Sequence, residues 1–269
     1  MNTHDYKALS ELAQDIARQA GQIALKYKAD GLTDIGTKSS DVDMVTAADK
    51  ACEEYIVERL ASDRPDDGLK GEEGASKESQ SRITWHIDPI DGTTNFIYGL
   101  PFGVSIGAAI RDKPVAGVVY KPFSDQMYAA NLGGGSTLNG KQLKVNDVSK
   151  LNVSLVGTGF YYDANVRALQ AENLTSFISK VRDIRRSGAA SLDLCSVASG
   201  EIDAYFEIGL NSWDVAAGLL IATEAGAVTK HPFRADWDKG TQLVIGAPDI
   251  VNDLHKLVGE GPPLASGNS

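Results

Sequence analysis

The chain is poor in the residues that build the commonest metal and nucleophile sites. Its 269 residues hold two cysteines, Cys52 and Cys195, and four histidines. Cysteines so far apart give neither a metal-finger spacing nor a disulfide framework. The histidines form no zinc set. His4 and His255 fall near the ends and are expected in solvent, His231 precedes Pro232 in a loop, and His86 sits in a strand pattern with a structural role. No Gly-x-Ser-x-Gly elbow is present for a Ser-His-acid hydrolase. Basic residues are outnumbered, 26 against 36 acidic, for a formal net charge of -10. That counts against nucleic-acid binding through bulk charge, which needs clustered Lys and Arg. No apolar run nears the ~20 residues of a membrane span. The first residues lack the basic-then-apolar pattern of a signal peptide, so a cytoplasmic location is expected.

What is present reads as an ordinary globule, 42% hydrophobic and 23% charged. The length suits one domain over 1–258 made of two intimate halves, about 1–147 and 148–258. A Gly-, Pro- and Ser-containing tail, 259–269, is expected to fray. Helical spacing marks Asp5–Tyr27. A polar stretch over 31–43 precedes Thr46-Ala47-Ala48-Asp49, which reads as a capping box with Asp in place of Glu, and Cys52, Ile56 and Leu60 continue that helix. Residues 62–81 read as an acidic loop. Alternation predicts a strand at Ile83–Ile87, and further strands follow at 104–110, 115–120 and 127–131, with a hairpin turn at Asn139-Gly140. The second half mixes strands at 151–156, 202–208 and 243–245 with helices at 165–181, 190–199, 213–225 and 250–258. This order predicts a layered α+β or mixed α/β fold. Gly135 to Lys141 matches most of a P-loop, but Gln142 stands where a hydroxyl is needed, and a hairpin fits better.

The segment richest in chemistry is Asp88-Pro89-Ile90-Asp91-Gly92-Thr93. An apolar strand delivers two carboxylates three residues apart, and Pro89, lacking an N–H, is expected to end ladder pairing. Gly92 permits close backbone approach, and a helix starting at Thr93–Asn95 would present free N–H groups to a phosphate. Carboxylates beside a phosphate repel it unless cations intervene, and hard oxygen ligands point to magnesium or a similar ion. Equally, Asp88 and Asp91 can simply cap a turn.

With Gly71-Glu72-Glu73, the run from Trp85 to Phe96, Trp213-Asp214-Val215-Ala216-Ala217-Gly218 and the segment Lys38 to Asp49, the chain resembles the inositol monophosphatase family over about 5–258. The resemblance implies a layered αβαβα sandwich, magnesium as cofactor, a homodimer and sensitivity to lithium. It implies metal ligation by Glu72, Asp88, Asp91, Asp214 and the Ile90 carbonyl, and water orientation by Glu72 and the Thr93–Asp49 pair. Phosphate contacts fall to Gly92 and Thr93, and contacts to inositol hydroxyls to Asp91, the Ala190 backbone and Glu207. Each has a structural rival: Glu72 as a surface acid, Asp49 and Asp214 as helix caps, Glu207 as a paired strand residue, Lys38 as a solvated lysine. Thr94-Asn95-Phe96 resembles the inositol branch; sugar, polyol, histidinol or nucleotide phosphates are alternative substrates. A regulatory interaction protein is a further alternative, with Arg182, Arg185 and Arg186 as its basic cluster.

Overall fold

In α1 (Tyr6–Asp30) one face buries Leu9, Ala13, Ile16, Ala17, Ala20 and Ala24. Asp5 caps the helix, its Oδ1 accepting from Ala8 N at 3.1 Å. The structure, a computed structural model, describes residues 5–31, 35–38, 44–234, 237 and 242–259. His4, most of the polar 31–43 stretch and the tail beyond Gly259 lie outside them. Strands β1 (Gly36–Thr37) and β2 (Met44–Val45) pair antiparallel and lead into α2 (Ala47–Asp63). The capping box forms with Asp: Thr46 N donates to Asp49 Oδ2 at 2.8 Å, and Ala48 N to Thr46 Oγ1 at 3.1 Å.

Next come β3 (Gly68–Gly71), β4 (Ser76–Lys77), β5 (Ile83–Asp91), α3 (Thr93–Tyr98), β6 (Gly103–Ile110), β7 (Lys113–Lys121), β8 (Gln126–Asn131), β9 (Ser136–Leu138) and β10 (Lys141–Gln142). They form one eight-stranded sheet in the order β10-β9-β8-β7-β6-β5-β3-β4. Two expectations fail here. The 62–81 loop contains β3 and β4, because β3 pairs parallel to β5 and tertiary pairing overrides a polar sequence. Pro89 does not end β5, which pairs again at Asp91 after a register shift between Asp88 and Asp91; a bulge absorbs the missing N–H. Asn139 and Gly140 turn the expected hairpin with φ of 48° and 80°. The P-loop look-alike is thereby excluded: the N–H groups of Gly133 and Gly135 donate to the Glu224 carboxylate.

The second half holds β11 (Leu155–Thr158), α4 (Ala164–Phe177), β12 (Asp183–Arg185), α5 (Ala190–Ser199), β13 (Ala204–Glu207), α6 (Ser212–Glu224), β14 (Val228–Thr229), β15 (Leu243–Gly246) and α7 (Val251–Val258). Its five strands order as β12-β11-β13-β15-β14. The strand expected at 151–156 starts as a 3₁₀ turn, Leu151–Val153, before β11. Strands β12 and β14, of three and two residues, are too short for alternation to reveal. His255 is half-buried, not solvated, with its ring 5.6 Å from that of His231.

Three apolar cores hold five layers. One lies between α1–α2 and the large sheet. A second surrounds α5 and α6 between the sheets, and a third joins the small sheet to α4 and α7. The result is the expected αβαβα sandwich. Helix α6 rests directly on β6 and β7 at two glycines. A Cβ on Gly107 would stand 2.8 Å from Ala217 N, and one on Gly117 2.8 Å from Ala217 O. Among the described residues no helix is long and apolar enough to cross a membrane.

Candidate active site

The bulge at the end of β5 turns Asp88 and Asp91 toward one cavity. Asp88 is 2% exposed, and its Oδ1 accepts from Ile90 N at 3.1 Å. Asp91 is held harder. Its Oδ1 accepts from Ala190 N at 3.2 Å, and its Oδ2 from Ser191 N at 2.6 Å and Ser191 Oγ at 2.5 Å. These are the first N–H groups of α5, so a carboxylate of the large sheet caps a helix of the middle layer. The turn-capping role weighed for both aspartates is therefore real, and it orients them.

Asp214 arrives from the first turn of α6. Its Oδ2 accepts from Asn211 N at 2.5 Å, in a capping box. Glu72 follows β3, with its N–H on Ile87 O at 3.1 Å. Lys38 Nζ bonds Glu72 Oε1 at 2.9 Å and Glu73 Oε1 at 2.5 Å, so Lys38 is not a free surface lysine. Burial lowers its pKa, but the Glu72 and Glu73 carboxylates raise it by more. Thr93 Oγ1 donates to Asp49 Oδ1 at 3.1 Å and lies 3.3 Å from Ile90 O.

Crowding shows in the titration of these groups. Burial pushes Asp88 well above the carboxylate range, and the charges of Glu72, Asp91 and Asp214 add to it. Burial likewise raises Asp214, helped by Glu72 and Asp91. Asp91 is pushed up by burial only to about 6, because the Ser191 donors favour its charged form. Buried like charges of this kind call for a cation. The donor set is all oxygen, which suits a hard divalent ion. Among the described residues no three such side chains yet stand as a closed ligand set, and Glu72 is turned to Lys38.

The same cavity is lined by Ile90, Gly92, Thr93, Ala190 and Glu207, and Asp49 stands behind Thr93. All the site residues read from the sequence thus gather in one place. The chain matches the family model described as "Inositol monophosphatase family" over residues 5–259. It belongs to the inositol monophosphatase family. The inositol-1-monophosphatase SuhB of Mycobacterium tuberculosis (H37Rv) is 41% identical over 247 residues, 88% of this chain and 85% of the relative. The solved extragenic suppressor protein suhB of Bartonella henselae superposes with a TM-score of 0.86 at 30% identity, covering 95% of this chain and 100% of that one. An inositol monophosphate-bound SaIMPase-II structure gives 0.77 at 27%, covering 93% and 92%.

In this inositol monophosphatase-family chain the opening loop at Gly92 is set by contact. Its φ is 90°, and a Cβ there would stand 3.0 Å from Gly188 O. Helix α3 has only six residues, so the expected helix-end attraction for phosphate is weak, and individual N–H groups matter more. Asn95 Nδ2 bonds Ser187 O and Pro101 O, both at 2.8 Å, tying the motif to the loop before α5. At the far wall Glu207 accepts from Tyr205 OH at 2.5 Å, and burial pushes it up to about 7.

Two contributors escaped the sequence reading. Glu53, 5% exposed, accepts from Glu73 N and Ala75 N at 2.9 Å each and fixes the turn that carries Glu72. An acid on the buried face of α2, beside Cys52 and Ile56, was the available signal. Ser191 had none, since its partner is a hundred residues away. Two of the basic cluster are locally engaged, Arg185 with Asp183 at 2.8 Å and Arg182 Nε with Val153 O at 2.6 Å, whereas Arg186 lines the site cavity.

Proposed function

We propose that the chain is a magnesium-dependent phosphate monoester hydrolase acting on inositol monophosphates. The observation that carries this reading is the meeting of Asp88, Asp91, Asp214 and Glu72 on one cavity beside the Thr93–Asp49 hydrogen bond.

Glu72, Asp88 and the Ile90 carbonyl would hold one magnesium, and Asp88, Asp91 and Asp214 a second; Glu72 would reach a weaker third through water. Bound magnesium supplies a water of lowered pKa and neutralises charge on the phosphate. Thr93, its proton directed to Asp49, presents a lone pair that accepts from the attacking water and aims it, with Glu72 on the other side. The N–H groups of Gly92 and Thr93 meet phosphate oxygens as charge shifts. The water oxygen bonds phosphorus as the ester P–O bond breaks; the water gives up a proton and the leaving alkoxide takes one up, so that alcohol and inorganic phosphate are the products. Asp91, Ala190 and Glu207 would orient the inositol ring. The Ala190 N–H is engaged by Asp91, so its contact would come from another atom. Positioning and charge dominate phosphoryl transfer, so no histidine base or protein nucleophile is needed.

A cytoplasmic homodimer inhibited by lithium belongs to this reading. Phosphate release from inositol 1-phosphate, with and without magnesium, tests it against a panel of sugar, histidinol and nucleotide phosphates. No magnesium-dependent release from the inositol ester, with release from another, would replace the substrate.

A further inference from the structure

Three neighbouring strands of the large sheet each send a side chain to the first two residues of α6. From β5, His86 Nδ1 shares a hydrogen bond of 3.0 Å with Ser212 Oγ. From β6, Ser105 Oγ donates to Trp213 O at 3.2 Å. From β3, Lys70 Nζ stands 5.9 Å from the centre of the Trp213 ring, within reach of a cation–π contact. His86 is 2% exposed, and Ser105 and Ser212 are fully buried. Water does not compete for these bonds, and breaking one leaves a buried polar group unmade. The His86 ring is also held from the side, edge to face with Phe233 at 5.3 Å.

The His86–Ser212 pair stands in the same relation to two carboxylates. His86 precedes Asp88 by two residues on β5, so both side chains leave the same face of the sheet. Ser212 precedes Asp214 by two residues in the first turn of α6. Asp88 bonds Ile90 N and Asp214 bonds Asn211 N. Those contacts orient each carboxylate within its own segment; the His86–Ser212 bond joins the two segments. Asp88 and Asp214 line one cavity, and when both are charged they repel. Repulsion drives the first turn of α6 away from β5, and the His86–Ser212 bond opposes that movement.

We propose that His86 and Ser212 are positioning residues for the metal site. Their hydrogen bond sets the separation of Asp88 and Asp214, and with it the affinity for the magnesium that these two would share with Asp91. The magnesium part rests on the function proposed above; the clasp between the two carboxylates does not.

Magnesium alone, titrated calorimetrically into the full chain, is the first measurement. Ser212→Ala and His86→Leu should each weaken its binding about 10-fold, as loss of a group that orients a metal ligand does. The double variant should match the weaker single within about twofold, because both changes remove one bond. His86→Asn places an amide atom where Nδ1 stands and should restore most of the affinity. Ser212→Ala removes only a hydroxyl, so it carries the test alone if His86→Leu does not fold. A lower melting temperature with unchanged magnesium affinity in Ser212→Ala is the mark of a merely structural bond and overturns the proposal. Single effects that multiply in the double variant overturn it too.

The second measurement is melting in EDTA, which involves no metal. Asp88→Asn removes the repulsion and should raise the melting temperature. In the Ser212→Ala background that gain should fall by about half or more, since the released helix end already lets the charges part. An undiminished gain overturns the clasp. A wild type that binds no magnesium, with the gain diminished as expected, supports the clasp and sinks the magnesium reading.

Discussion

Asp49 serves two partners with its two oxygens: Oδ2 caps α2 through Thr46 N and Oγ1, and Oδ1 accepts from Thr93 Oγ1 at 3.1 Å. The helix cap fixes the carboxylate, and the carboxylate fixes the hydroxyl that faces the cavity. Capping and the proposed orientation of water would therefore be served by one arrangement.

Asp49→Asn keeps one oxygen at the N3 position of the capping box to accept from Thr46 N. The fold should persist, while kcat falls about 100-fold, the usual loss when a proton-directing group is impaired. Thr93→Ala should match it and Thr93→Ser should recover most activity. Steady-state kinetics with saturating magnesium, beside circular dichroism, decides; an Asp49→Asn enzyme within twofold of wild type would remove the pair from the mechanism.

Glu53→Gln leaves one acceptor oxygen for two N–H donors, at Glu73 and Ala75. The turn carrying Glu72 should loosen. The magnesium concentration for half-maximal activity should rise about 10-fold, as for other groups that orient metal ligands, with kcat at saturating metal little changed. A magnesium titration of activity that superposes on wild type would show the turn to be held by other contacts.

Asp88 is buried against Glu72, Asp91 and Asp214. Removing its charge should stabilise the chelator-treated protein while abolishing magnesium-dependent turnover. Asp88→Asn should melt above wild type by a few degrees in EDTA, about 2–4 °C per kcal/mol at this size. Wild type should gain melting temperature with magnesium and the variant should not. A variant that melts lower in EDTA would mean that repulsion there is outweighed by lost hydrogen bonds.

Asp193 supplies a pH test. Burial pushes it up to about 8, with Ser187 partly opposing. A carboxyl with a raised folded pKa stays protonated in the fold while the unfolded chain releases its proton. Its contribution is present below about pH 4 and is lost as pH rises toward 8. Asp193→Asn should therefore flatten the profile, melting about 3–8 °C above wild type at pH 8 and equal to it near pH 4. Parallel melting curves across that range would place the proton elsewhere.

Local rules reached far into this chain. The capping box at Thr46, the helix at 190–199 and the hairpin at Asn139-Gly140 are short-range physics, and the structure has each of them. The four carboxylates were legible because ordered motifs carried a family resemblance; spacing alone left turn-capping open, and capping is indeed part of what Asp88, Asp91 and Asp214 do. What stayed hidden is non-local. Strand β3 exists because β5 offers it an edge, and Pro89 is tolerated because a bulge forms. Ser191 matters only once α5 has been brought against the large sheet.

The contact of α6 on Gly107 and Gly117 acts as a gauge block. Asp214 rides at the start of that helix, and at Gly107 and Gly117 the strands offer it bare backbone, with only the Ala216 methyl of the helix beside the contact. The separation between the carboxylate of the middle layer and those of the large sheet is thus set by the closest approach of main chains. A single methyl group added at either glycine, in the interior and without any charge, would reset the spacing available to the cations. Tolerance to substitution here should follow position relative to this seat as much as distance from the reacting phosphate.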